Sequence, residues 1–317
     1  MRRHSERSAL HSALLLSVLV ATLRAATPLL FAGFGELVTE RSGVLNLGVE
    51  GMMLTGAALG FMGAASSGSI LVGLLLAMVG GAALSLVFGV LTLSLMANQV
   101  ATGLALTIFG VGFSALIGVS FQGVPLTGLS SVIWPGLAQA APWLQQLMLI
   151  DPLVVAALLL PFAVQLFLYR SRAGLVLRAV GESHDVAHAL GYPVLRIRYL
   201  AVIFGGAMSG LGGAYLSLAY TPMWTENMVA GRGWIALALV VFSTWQPLWL
   251  AVGACLFGFV TIAQFQAEAL GIDISPHLLA MLPYLITVLV LVLISRDRVR
   301  LKLRAPAALG RPFHATV

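Results

Sequence analysis

The feature that most constrains this chain is the recurrence of apolar runs long enough to span a lipid bilayer, parted by short polar breaks. Within hydrocarbon every backbone N–H and C=O must find an internal partner, so runs of this length fold as helices that pack on one another. They lie near residues 10–34, 44–64, 70–96, 98–118, 152–169, 199–220, 231–245, 248–265 and 278–295. The sequence therefore predicts an all-α fold, a polytopic transmembrane bundle of about 8–10 segments. Ser243-Thr-Trp-Gln-Pro247 divides what would be one overlong run, because proline removes a donor and clashes with the preceding turn. No low-complexity linker or internal repeat partitions the chain, which reads as one membrane domain over residues 1–317.

Composition agrees with this reading. Hydrophobic residues make up 60% of the chain and charged residues only 9%. Glycine within apolar runs lets helix backbones approach closely, as the spacings Gly56-x-x-x-Gly60 and Gly206-x-x-x-Gly210 suggest. The single Cys255 excludes an internal disulfide framework and a multi-cysteine metal or redox site. A net charge of +6 invites a nucleic-acid reading, but 14 of the 17 Lys and Arg residues sit in the N-terminal tail, the 170–198 loop and the C-terminal tail. That distribution is a topology signal and implies no nucleic-acid partner.

The positive-inside rule places the basic loop 170–198 and the basic tail 296–317 in the cytoplasm. The Lys/Arg-free stretch 266–277 and the uncharged loop 119–150 then fall outside. Arg2, Arg3 and Arg7 before Leu14 imitate a secretory signal, but Arg24 stands where a small cleavage-site residue belongs, so the segment reads as an uncleaved first helix. Nine crossings put the N-terminus outside, against its own arginines. Charge and parity disagree there, and the N-terminal orientation stays open.

A broken or re-entrant helix is expected near 40–64. Gly43-Val-Leu-Asn-Leu-Gly-Val-Glu-Gly51 sets Asn46 and Glu50 among glycines in an apolar context, and polar groups at membrane depth must face protein or a water-filled cavity. Four residues apart, the two would share a helical face. Either they line a translocation path, as broken helices do in transporters, or they clamp helices together. If they line the path, Glu50→Gln is expected to preserve expression and assembly while reducing transport.

Three motifs carry a resemblance. Phe34-Gly-Glu-Leu-Val-Thr-Glu-Arg-Ser-Gly-Val-Leu-Asn-Leu-Gly-Val-Glu-Gly-Met-Met53, Asn98-Gln-Val-Ala-Thr-Gly103 and Gly231-Arg-Gly-Trp-Ile-Ala-Leu-Ala238 resemble signatures of the nucleoside and simple-sugar branch of bacterial ABC importer permeases. The wider family includes the branched-chain amino acid and ribose permeases. The resemblance implies a multi-pass protein of the bacterial cytoplasmic (inner) membrane that translocates nucleosides or simple sugars by alternating access. It implies as partners a cytoplasmic ABC ATPase, a second related permease subunit in a heterodimer, and an extracytoplasmic substrate-binding protein.

In such permeases the cytoplasmic loop holds a short coupling helix that seats in the ATPase. Gly181-Glu-Ser-His-Asp-Val-Ala-His-Ala-Leu-Gly191 is similar to it, with Gly181, Glu182, Ala187 and Gly191 at the expected places and His184 where proline is usual. Local physics agrees: Ser183 can cap a helix start, Asp185 suits its positive end, and Gly191 then Pro193 stop it. Small Ala187 and Ala189 would admit a close partner. The blander reading is a connector whose arginines set topology and meet anionic membrane lipid.

Other polar residues leave alternatives. His184 and His188 have helical metal-ligand spacing but no third ligand, so no metal site is expected. Arg232 either touches substrate at the outer mouth or pairs with an acid, Glu226 being a candidate, or with lipid phosphate. Arg24 and Glu36 are either a membrane-embedded pair or separate interfacial residues. The only lysine, Lys302, follows Leu301 in a basic tail, so the chain carries no Walker A loop. No cofactor of its own is expected, ATP being used by the partner. An ion-coupled secondary transporter for a small polar solute is the alternative function; an intramembrane enzyme lacks any nucleophile and base constellation in the sequence.

Overall fold

The computed structural model describes residues 2–129, 150–269 and 305–314, with isolated helical positions at Leu278, Met281, Leu282, Leu285, Val288, Leu289 and Val292. The apolar runs form α1 (Arg2–Arg41), α2 (Val49–Ser67), α3 (Ile70–Gly89) and α4 (Gln99–Gly118). These are followed by α5 (Pro152–Arg170), α6 (Arg172–Glu182), α7 (His184–Ala189), α8 (Val194–Tyr215), α9 (Arg232–Phe242) and α10 (Pro247–Ala269). A π-turn extends α3 through Val90–Ser94 and another extends α8 through Leu216–Tyr220. Six described helices are long and apolar enough to cross a membrane: Leu15–Arg41, Ile70–Ser94, Gln99–Phe121, Pro152–Arg170, Val194–Tyr220 and Pro247–Ala267. The expected segment 278–295 and most of the 119–150 loop lie outside the described residues.

The break expected near 40–64 falls at residues 42–48, between α1 and α2. Asn46 precedes α2 instead of sharing a helical face with Glu50. Around 231–245 the expected full helix is shorter than a crossing. Eleven residues rise about 16 Å, against a hydrocarbon core of about 30 Å, so α9 is a half-helix, too short to cross by itself.

Helix α2 lies at the centre, flanked by α3, α4 and α8. The small-residue spacings read from the sequence mark its contacts. Gly56 meets the Gly210 backbone, Gly60 lies between Ala77 and Ala214, and Gly81 of α3 meets the carbonyl of Gly206. Without a hydrophobic drive between helices in lipid, this backbone approach supplies the packing. Gly210→Val drives side-chain atoms into the Ala77 carbonyl and is expected to abolish the monodisperse peak on size exclusion in mild detergent. Gly112→Ala, where an added methyl meets nothing within 4 Å, is expected to leave that peak unchanged.

Contacts at the helix ends give the direction of each pass. Arg24 donates to the carbonyl of Ala219 (2.8 Å) at the far end of α8, whereas the Arg41 carbonyl lies against Gly181 at the end of α6. Helix α1 therefore runs towards the face that carries α6 and α7, and its N-terminal end lies on the opposite face. Residues 305–314 return to the α6–α7 face, where Ala308 N–H donates to the Gly181 carbonyl (2.9 Å).

Candidate functional site

The elbow between α1 and α2 is built from the three motifs singled out above. Asn46 Oδ1 accepts from Gly48 N–H (2.9 Å), an Asx turn that starts α2, and Asn46 N–H donates to Glu36 Oε1 (3.0 Å). From the second motif, Gln99 accepts from Leu45 N–H (2.8 Å), and Gly103 sits so close to Leu47 that no side chain fits. Thr107, one turn further along α4, donates to the Leu47 carbonyl (3.0 Å).

The third motif meets the first at Glu50. Its Oε1 accepts from Gly231 N–H (2.7 Å) and its Oε2 from Gly233 N–H (2.6 Å). These donors open α9, so a buried carboxylate from α2 caps a half-helix inside the bundle, where the unsatisfied N–H groups and helix dipole favour negative charge. Gly231 has φ +83°, and a methyl at Gly233 would lie 2.6 Å from Glu50 Cα. Both glycines are required for the approach. Asn46 and Glu50 thus belong to one polar joint but contact different partners.

The Arg232 guanidinium folds back onto the carbonyls of Met228 and Val229 (both 3.1 Å), with no ion pair to Glu226. Arg24 and Glu36 are separate: Arg24 serves the end of α8 and lies 5.7 Å from the Tyr220 ring centroid, while Glu36 serves the elbow.

A second joint was not anticipated from sequence. Trp245 Nε1 donates to Glu40 Oε2 (2.5 Å), and Arg41 donates to the Trp245 carbonyl (2.8 Å). Trp245 holds φ +55° and Thr244 φ +50°, left-handed values that cost non-glycine residues energy, so the two bonds hold a strained reversal between α9 and α10. The only sequence signal was the break before Pro247. Both ends of the half-helix are therefore tied to the α1–α2 unit.

On the face that carries α6 and α7, Ser183 caps α7, its Oγ accepting from Val186 N–H (3.3 Å), and Asp185 lies in the first turn. Gly191, at φ +85°, ends the segment. Glu182, Asp185 and Ala189 are exposed, whereas Gly181 is buried against Arg41 and Gly43. Ala187 does not face a partner. It is 2% exposed and packs with Val180, Val194 and Phe313 of the C-terminal tail. The outward face of α7 presents Val186 (59% exposed) and Leu190 (70% exposed) instead.

The tail binds three elements together. Phe313 meets the rings of His184 (centroids 5.9 Å apart) and His188 (5.4 Å). Gly310 N–H donates to the Gly43 carbonyl (3.1 Å), and fully buried Arg198 donates to the carbonyls of Gly43 (3.0 Å) and Arg311 (3.1 Å). Helix α7 is thereby strapped to the same elbow that carries Asn46 and Glu50. The sequence reads Arg198 only as one of the loop's topology-setting arginines, whereas here it is fully buried, and gives Phe313 no role.

His184 is pushed down to about 4 by burial first, then by the positive charges of Arg198 and Arg311, with Asp185 opposing them. The unfolded chain binds a proton near pH 6.5 that the folded chain refuses until about pH 4. This contribution is intact above pH 6.5 and is lost as pH falls towards 4. We expect the thermal midpoint to fall over that interval less steeply in His184→Gln than in the parent; parallel slopes count against it.

A half-helix capped within the bundle is thus held at both ends by one broken helix pair, to which a surface helix is also strapped, in a multi-pass helical bundle. The chain belongs to the family described as the branched-chain amino acid transport system permease component, whose model matches residues 18–293. It is 43% identical over 267 residues to TsgC13 of Haloferax volcanii, named provisionally as a glucose ABC transporter permease protein, covering 82% of this chain and 80% of that one. It is 32% identical over 294 residues to the guanosine ABC transporter permease protein NupQ of Bacillus subtilis (87% and 92% covered). To the nucleoside ABC transporter permease protein NupC of Lactococcus lactis it is 30% identical over 305 residues (88% and 92%). The protein is a permease subunit of an ABC transporter and not itself an enzyme, and the family implies ATPase and substrate-binding partners.

Proposed function

We propose that this chain forms one membrane domain of an ABC importer for nucleosides, with α7 as the helix that receives the motion of a cytoplasmic ATPase. The carrying observation is the two-sided character of α7: Val186 and Leu190 point outward, while Ala187 is locked through Phe313 to the α1–α2 elbow. Glu182, Ser183, Asp185, Ala189 and Gly191 shape and present that face; Gly181 and Ala187 seat it. ATP is bound by the partner, and this chain holds no cofactor of its own. Asn46 and Glu50 act as the joint beside the substrate path, transmitting movement of α7 to the half-helix α9.

Nucleosides are favoured by the names of two relatives covered over most of their length. Simple sugars are the second reading, supported by the higher identity to TsgC13. A heterodimer with a related permease is favoured because this chain is similar to two permeases in each of two organisms, NupQ and NupP in Bacillus subtilis and NupC and NupB in Lactococcus lactis.

The test is gentle purification from the native membrane, identification of copurifying subunits, and ATP hydrolysis stimulated by nucleoside or by glucose. We expect a stoichiometric ATPase, a second permease and nucleoside stimulation. Val186→Glu with Leu190→Glu is expected to release the ATPase while the membrane chain stays folded. A lone chain whose uptake collapses with a protonophore instead establishes the ion-coupled alternative.

A further inference from the structure

A cleft of about 860 Å³ opens between α5, α6 and α8 at their cytoplasmic ends. Its walls include Val164, Phe167, Leu177, Ala201 and Phe204, and no acidic residue lines it. Along α8 the lining runs from Ile197 to Phe204, seven residues or about 10 Å of rise, and along α5 from Leu160 to Phe167 by the same measure. The cleft thus reaches well into the inner leaflet. Phe167, Leu200 and Phe204 are partly or largely exposed, so it opens towards lipid and not towards the bundle centre.

Among the described residues the only charged one in the lining is Arg172, at the start of α6. The other cations of this region are engaged: Arg178 stacks on Tyr169 at 4.6 Å, Arg198 donates to two carbonyls, and Arg41 donates to Trp245. Arg172 is exposed and has no hydrogen-bond or ion-pair partner among the described residues. Exposed Arg170, two residues before it, and exposed Arg196, in the first turn of α8, add positive charge to this end. An apolar slot at leaflet depth beneath unpaired guanidinium matches a phospholipid with acyl chains inside and a phosphate at the mouth.

We propose that this cleft binds one anionic phospholipid of the cytoplasmic leaflet, with its phosphate held by Arg172. Charge complementarity selects an anionic headgroup over a zwitterionic one. The inference needs only that the chain spans a membrane, and so stands apart from the transport reading.

The test is native mass spectrometry of the delipidated full chain titrated with phosphatidylglycerol or phosphatidylcholine. One phosphatidylglycerol per chain is expected to be retained in preference, and Arg172→Gln is expected to reduce that preference about fivefold. Ala201→Trp, which fills the cleft, is expected to abolish retention; Ala163→Phe fills the opposite wall should the first variant misfold. Inorganic phosphate at the same concentration is expected not to compete. Equal retention of both lipids, undiminished retention in both filled variants, displacement by inorganic phosphate, or a delipidated dimer broken by Ala201→Trp would overturn the assignment, the last by making the occupant a second copy.

Discussion

Phe313→Ala is expected to free residues 305–314 from the face that carries α6 and α7 and to uncouple uptake from ATP hydrolysis. Phe313 is only 6% exposed and packs in one cluster with Val180, Ala187 and Val194. Truncating a buried phenylalanine to alanine costs about 3–5 kcal/mol. A loss of that size shifts the docked-to-free ratio of a short tail by about two orders of magnitude or more. Three hydrogen bonds remain: Ala308 to Gly181 and Gly310 to Gly43, each contributing about 0.5–1.5 kcal/mol net, and Arg198 to Arg311 at about 1.5–3 kcal/mol, so they offset part of that loss. Hydrogen exchange should show lost protection both in 305–314 and in 181–191, because α7 loses its inner wall. Basal ATPase activity of the assembled complex should persist while uptake per ATP falls. Unchanged protection of 181–191 would falsify the strap.

Glu50→Gln is expected to lower both the thermal midpoint and the uptake rate. The sequence alone suggested that this change would leave expression and assembly intact, which treats Glu50 as a wall of the path. The geometry adds a stability cost. The amide oxygen of glutamine can retain one of the two donors, Gly231 N–H or Gly233 N–H, but its NH₂ then faces the other. One buried donor is left unmet at about 1–3 kcal/mol, and the negative charge that favoured the start of α9 is gone. Glu50→Ala removes both acceptors and should cost more. A thermal midpoint equal to that of the parent in Glu50→Gln would refute the capping role, whatever uptake does.

Much of the fold was legible because its signals are local. Hydropathy and length identify helices in lipid without any knowledge of their neighbours, and Ser183 with Gly191 delimits α7 through the donors and left-handed backbone that helix ends require. The small-residue spacings were readable too: Gly56, Gly60, Gly206 and Gly210 all lie at close helix contacts. The 231–245 run misled because apolar residues continue past the point where the backbone stops being helical; the reversal at Thr244 and Trp245 depends on Glu40 and Arg41, far away in sequence.

What the sequence by itself determined is the class: a helical multi-pass permease subunit with a short capped helix inside a basic loop between spans. Which residues work together was decided by tertiary structure. Glu50 meets Gly231 across 181 positions, Arg24 meets Ala219 across 195, and Trp245 meets Glu40 across 205. A buried polar group must find whatever donor or acceptor the packed neighbours bring to it, and no local pattern encodes that partner. The inward face of Ala187 follows the same rule: a helix of six residues has no apolar stripe long enough to declare which side is covered, so Phe313 decides it on folding.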